Sequence, residues 1–151
     1  MPAKIIEMIV SLKVPDTTAI TALQTLQKIG FSKIKDVKRA DYYKFFIEGN
    51  EEKFKNQICR VDILVNANKH SYSFSMPRGN VSILVKNIND AGTGLLSTLK
   101  KRLGLTNIKK IEKGTLWILD IDADYNELNK IAEKAARELF VNENYQKYRI
   151  L

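Results

Sequence analysis

The chain is poor in the residues that carry most redox, metal and nucleophilic chemistry. Its 151 residues include one cysteine, Cys59, and one histidine, His70. A lone cysteine excludes an internal disulfide and fits a reducing compartment. A lone histidine leaves a metal site or a nucleophile–base pair short of partners. No apolar run approaches the roughly 18 residues that a membrane-spanning helix needs. The opening "MPAKIIEMIVSLKVP" is broken by Glu7 and alternates like a strand. It does not read as a secretory signal, so the expected compartment is the cytoplasm.

What is present is globular material: 44% hydrophobic and 28% charged residues. A chain of this size buries roughly two-thirds of its unfolded surface. The formal charge is +8, which invites a nucleic-acid reading. However, residues 1–76 hold 12 Lys+Arg and 8 Asp+Glu, and residues 77–151 hold 13 and 9. Each half therefore carries +4, so the charge is spread rather than gathered into a tail or block.

The halves also share an order. "LVNANKHSY" and "FVNENYQKY" both place Val-Asn-x-Asn ahead of a tyrosine-bearing run. Leu23 and Leu26 fall on Leu96 and Leu99, Gly30 on Gly104, Ile34 on Ile108, and Tyr43, Phe45 and Ile47 on Trp117, Leu119 and Ile121. Val65-Asn66 falls on Val141-Asn142, and His70 on Gln146. A unit of about 75 residues used twice accounts for this. In the first copy, Ile6, Met8 and Val10 alternate as a strand, and Asp16 caps an amphipathic helix that ends at Gly30. A hairpin is expected to turn at Arg39-Ala40-Asp41, Asn50 opens a second helix, and a strand closes the unit near Tyr72–Met76. In the second copy a strand over Val81–Val85 is followed by the turn "NDAGTG" and a leucine-striped helix. A hairpin is expected at Lys113-Gly114-Thr115, Asp124 with Glu127 suggests a capping box, and "QKYRIL" closes the unit. The expected fold is α+β: two tandem βαββαβ, ferredoxin-like units over residues 1–76 and 81–151, joined by residues 77–80 and forming a pseudo-dimer with antiparallel sheets. Tyr43 and Trp117 are expected in the core.

Four stretches carry a family resemblance. "ARELFVNENYQKYRI" resembles the closing helix and strand of the PurS family, and "LGLTNIKKIEKGTLWILDID" resembles its central hairpin. "NDAGTG" is similar to its Asp-Pro-Gln-Gly turn, without the Pro and Gln, and "IVSLKVPD" to its opening strand. The resemblance implies the small subunit of phosphoribosylformylglycinamidine synthase, an ATP- and glutamine-dependent C–N ligase of purine biosynthesis. That subunit has no catalytic group. It joins the synthetase subunit to the glutaminase subunit as a dimer, and a tandem chain looks like a covalent version of that dimer. The implied partners are those two subunits. Pairing of two copies of this chain stays open, and no cofactor or metal is expected.

The other chemical candidates are weak. Cys59 lies mid-helix beside the apolar stripe, away from the helix N-terminus that would activate a thiol. Asp120, Asp122 and Asp124 have the spacing of the first calcium-loop ligands, but Tyr125 occupies the obligatory glycine position and Ile131 the twelfth. Gly92 and Gly94 are a lone Gly-x-Gly, a turn by default. Two basic clusters occupy matching places. Lys33, Lys35, Lys38 and Arg39 form one, and Lys109, Lys110 and Lys113 belong to the other. They are read as a solvated face or a docking surface for an acidic partner subunit. Two further classes are alternatives: a basic nucleic-acid-binding protein, which is disfavoured because its stacking aromatics are missing, and a small-molecule sensor built from duplicated units.

Overall fold

In the computed structural model, which describes residues 4–76, 80–88 and 92–151, the alternation of Ile6, Met8 and Val10 becomes strand β1 (Lys4–Leu12). Helix α1 (Thr17–Lys28), strand β2 (Ile34–Ile47), helix α2 (Glu51–Ile58) and strand β3 (His70–Ser73) follow. The second half gives β4 (Val81–Asn87), α3 (Thr93–Lys101), β5 (Ile108–Ile121), α4 (Tyr125–Ala135), a π-helical turn (Ala136–Phe140) and β6 (Gln146–Ile150). The strands form a six-stranded sheet in the order β3-β1-β2-β5-β4-β6. β1 pairs antiparallel with β2 and β3, and β4 with β5 and β6. Residues 77–79 of the expected linker and residues 89–91 of the expected turn lie outside the described residues.

The local signals for helix ends largely hold. The Asp16 carboxylate accepts from the backbone N–H groups of Thr18 (3.0 Å) and Ala19 (3.3 Å). Asn50 accepts from Lys53 N–H at 3.0 Å. Gly30 and Gly104 follow α1 and α3 at φ 109° and 70°, the left-handed backbone that stops a helix at little cost to glycine. The capping box on α4 is not formed. Asp124 is the N-cap but makes no side-chain cap hydrogen bond, and Glu127 reaches Lys33 instead at 2.8 Å. The helix expected to run through Phe140 leaves α geometry at Ala136 for one π turn. Asp16 also receives Arg39 at 3.0 Å and 3.3 Å, so it serves the cap and an ion pair at once. Asp16→Ala is expected to cost about 1–2 kcal/mol, at the upper end for a cap, measured by urea unfolding.

Both expected hairpins are corrected. β2 and β5 are each single strands of 14 residues. Ala40 is buried and Asp41 pairs with Val10 in the ladder. Gly114 is not among the positive-φ glycines, and Thr115 pairs with Val85. Arg39-Ala40-Asp41 and Lys113-Gly114-Thr115 therefore have turn-like composition without turn backbone.

Straight strands change what packs together. The chain forms two compact units: Met1–Lys13, Asp41–Met76 and Asp90–Lys113 in the first, and Val14–Ala40, Pro77–Asn89 and Gly114–Leu151 in the second. The first unit holds β1, the end of β2, α2, β3, α3 and the start of β5. Its core includes Ile6, Met8, Phe45, Phe54 and Ile58 from the first half of the chain and Leu99, Leu105, Ile108 and Ile111 from the second. The second unit holds α1, the start of β2, β4, the end of β5, α4 and β6. Its core joins Ala19, Ala22, Leu26, Ile34 and Val37 to Val81, Ile83, Leu119, Ile121 and Phe140. Each unit is four strands and two helices, the ferredoxin-like set. In each, one helix and the strand segment after it come from the opposite half. The linear repeat and the compact units are different divisions of the chain.

Of the expected core aromatics, Trp117 and Tyr43 pack against these cores but stay partly buried. The fully buried neighbours are Phe45, at 0%, and Tyr42, at 1%. Tyr42 stands opposite Ile9 of β1, which is buried as well.

Candidate functional site

The repeated Val-Asn-x-Asn proves to be a turn. Asn66 Oδ1 accepts from Asn68 N–H at 3.0 Å, and its own N–H donates to His70 Nδ1 at 3.0 Å. In the second copy Asn142 Oδ1 accepts from Asn144 N–H at 3.1 Å, and its N–H donates to Gln146 Oε1 at 2.9 Å. Both are Asx turns that feed the chain into an edge strand, β3 or β6. The single histidine thus does the same job as a glutamine, with Nδ1 used as an acceptor. It is a structural group.

Cys59 is also accounted for locally. Its thiol lies 3.5 Å from the Asn56 carbonyl. The neighbouring Cys59 thiol pushes the Tyr72 pKa above its ordinary value. Asp120, Asp122 and Asp124 sit where β5 runs into α4, and Asp122 N–H donates to the Lys33 carbonyl at 2.8 Å. Gly94 lies in the first turn of α3, and Gly92 is its N-cap at φ 74°. Among the described residues, no group of three His, Cys, Asp or Glu side chains is arranged to hold a metal.

The two basic clusters belong to different units. In the second unit, Lys33 pairs with Glu127 at 2.8 Å and Arg39 with Asp16 at 3.0 Å. The Glu127 contact raises the Lys33 pKa, and Lys33 in turn lowers that of Glu127. Lys35 donates to the Ser32 carbonyl at 3.0 Å, and Lys38 is exposed. In the first unit, Lys109 pairs with Glu48 at 3.6 Å and Lys110 with Glu112 at 3.5 Å, while Lys113 is half-buried. Four of the seven predicted cations are thus matched by carboxylates of their own unit. The exposed pairs, Lys33–Glu127 and Lys109–Glu48, are screened and contribute little stability, but all four leave each cluster less positive than its composition implies.

Several surface features needed the fold to be seen. Lys44 and Lys110 both approach the Phe46 ring, 5.4 Å and 5.5 Å from its centroid. Ile5 stands opposite Phe46 and is 53% exposed. In the second unit Trp117 stacks on Phe140 of the π turn, with centroids 4.5 Å apart. The pair floors a groove of about 410 Å³ lined by Thr17, Thr18, Thr21 and Thr25 of α1 and by Leu139. The apolar alternation of β5 flagged Trp117, but only the fold shows that α1 of the first half forms the opposite wall.

Tyr43, the counterpart of Trp117, has its pKa raised by burial and then by Asp41, to about 12. The neutral phenol is the form the fold favours. The stability it contributes is complete below its unfolded pKa near 10 and is lost as pH rises toward about 12. An ultraviolet titration of phenolate absorbance is expected to lose a component ionising near pH 12 when Tyr43 is replaced by Phe.

The family model of PurS, described as phosphoribosylformylglycinamidine (FGAM) synthase, matches residues 5–78. This is the first half of the chain. No curated protein sequence matches the chain. Among the described residues, no helix is long and apolar enough to cross a membrane.

Proposed function

Residues 5–78 make the chain a member of the PurS family, and from this we propose that it is a non-catalytic subunit of phosphoribosylformylglycinamidine synthase, bridging the synthetase and glutaminase subunits in the cytoplasm. The family match is the observation that carries the reading. The fold supports it: one chain supplies two four-stranded, two-helix units, so the second half acts as a second copy of the PurS unit. A single polypeptide then stands in for a dimer.

The role is geometric. Each unit offers a surface to one partner, and the bridge holds the ammonia-producing and ammonia-consuming sites in register. The basic clusters serve as the docking surfaces, Lys33, Lys35, Lys38 and Arg39 on one unit and Lys109, Lys110 and Lys113 on the other. Glu127 and Glu48 are exposed and exchangeable, so acidic side chains of a partner subunit can replace them. Charge of this kind steers association more than it fixes final affinity.

Co-purification tests the bridge. The tagged chain, expressed with the synthetase and glutaminase subunits of its own organism in glutamine and Mg-ADP, is expected to elute as a ternary complex by size exclusion with light scattering. Assembly of the other two without it would contradict the bridge. Lys35→Glu with Lys38→Glu is expected to slow association and to flatten its salt dependence.

A further inference from the structure

The groove floored by Trp117 and Phe140 lies wholly within the second unit. On α1, Thr18, Thr21 and Thr25 are spaced by three and four residues. They therefore share one face of the helix, beside the buried stripe of Ala19, Ala22 and Leu26. The lining is threonine and Ala22 on one side and Trp117, Leu139 and Phe140 on the other. It contains no ionisable side chain. Its volume of about 410 Å³ lies within the usual range for ligand cavities, roughly 300–1,000 Å³.

The duplicated sequence supplies an internal comparison. The counterparts of Ala22, Trp117 and Phe140 in the first unit are Leu95, Tyr43 and Leu64. All three belong to that unit's core or pack against it. The second unit thus has a methyl group where the first has a leucine side chain, and two large rings where the first has a phenol and a leucine. The threonines differ as well. Thr98, the counterpart of Thr25, donates its hydroxyl to the Gly94 carbonyl at 3.1 Å, a common way for a helical threonine to satisfy itself. Among the described residues, the hydroxyls of Thr18, Thr21 and Thr25 have no hydrogen-bond partner, although Thr25 is half-buried. The floor has its own history in the sequence. Between Trp117 and Val141 the second copy carries two more residues than the first has between Tyr43 and Val65. The π turn Ala136–Phe140 lies in that interval, and π bulges recur at functional sites.

We propose that this groove binds an uncharged, planar heteroaromatic molecule, with its ring against Trp117 and Phe140 and its edge acceptors toward the threonine hydroxyls. Aromatic rings gain from offset stacking beyond the area they bury. Unpartnered hydroxyls favour an acceptor at the ring edge, which a plain hydrocarbon lacks. A charged ligand would leave water without a counter-charge in the lining. A nucleic-acid strand would find no cation there for its phosphates. An apolar side chain of a partner protein would leave the threonine wall unmatched. The site is independent of the bridging role.

The test is a titration of the full chain with quinoxaline, a neutral bicycle with acceptor nitrogens at its edge, followed by amide NMR. Trp117 is the only tryptophan, so its indole N–H gives a single signal. Saturable shifts are expected at that signal and at the amides of Thr21, Thr25 and Phe140. Quinoxaline-2-carboxylate, which adds a charge, and cyclohexanol, which lacks the aromatic ring, are expected to bind more weakly. Thr25→Val is expected to weaken quinoxaline binding about three- to tenfold, the loss of one neutral hydrogen bond, while Thr25→Ser keeps it. Ala22→Leu supplies the side chain that the first unit has at Leu95 and is expected to abolish binding. The two Thr25 variants decide the matter even where Ala22→Leu perturbs the fold, because they leave the volume of the groove nearly unchanged. Equal binding of cyclohexanol, tighter binding of the carboxylate, or unchanged affinity in Thr25→Val would overturn the site. So would the absence of saturable shifts at Trp117.

Discussion

Leu99→Ala is expected to destabilise the protein by about 2–5 kcal/mol, the cost of deleting a fully buried leucine without collapse of its surroundings. The location of the damage is more telling than its size. Leu99 belongs to the second half of the sequence, yet it is 0% exposed within the core built on β1, Phe45, Phe54 and Ile58. Hydrogen exchange should therefore speed up in β1 and α2, both from the first half. Leu26→Ala should do the reverse. Leu26 is also 0% exposed, in the core that contains Ile83, Leu119 and Ala132, so protection should fall in β4 and α4. If each substitution loosened only the half of the chain that carries it, the exchanged packing would be wrong.

Gly114→Asn is the second large effect, about 1–3 kcal/mol as an overpacking cost. In a hairpin turn asparagine is among the best replacements for glycine. In β5 it is not, because its Cβ would sit 2.6 Å from the Val85 carbonyl oxygen and 3.1 Å from Leu84 Cδ1. The backbone oxygen cannot rotate away, so the β4–β5 ladder must open. The same substitution thus separates a turn from a continuous strand. A midpoint in urea unchanged from that of the native chain would restore the hairpin.

These two positions also show where the sequence is readable and where it is not. The alternation of Ile6, Met8 and Val10, the leucine stripe of α3, and the caps Asp16 and Asn50 are local properties, and each gives the element it predicts. The hairpins fail for a non-local reason. Ala40 and Gly114 look like turn residues, but the decision between turning and running on rests on which half supplies the next helix and strand segment. That information lies about 75 residues away, one repeat length. Domain swapping has this character: the same contacts are made in either arrangement, and only the hinge differs.

Legibility of the functional surface divides the same way. Sequence proximity identified the clusters around Lys33 and Lys109, because neighbouring lysines are visible in a string. It could not show that Glu127, Asp16, Glu48 and Glu112 would neutralise several of them. The Val-Asn-x-Asn repeat was the clearest signal in the chain, and it marks two identical turns rather than two active groups. The Gln146-for-His70 exchange was already visible in the alignment of the halves and spoke against a catalytic histidine, while its turn-holding role needed the structure.

The most direct test of the bridging role is turnover. The synthetase and glutaminase subunits are combined with and without this chain, and amidine formation is measured with glutamine or with free ammonia as the nitrogen source. Glutamine-driven turnover should require the chain, while ammonia-driven turnover should proceed without it, because in the proposed bridging role the chain supplies geometry rather than a catalytic group. Equal glutamine-driven turnover in its absence would contradict the account.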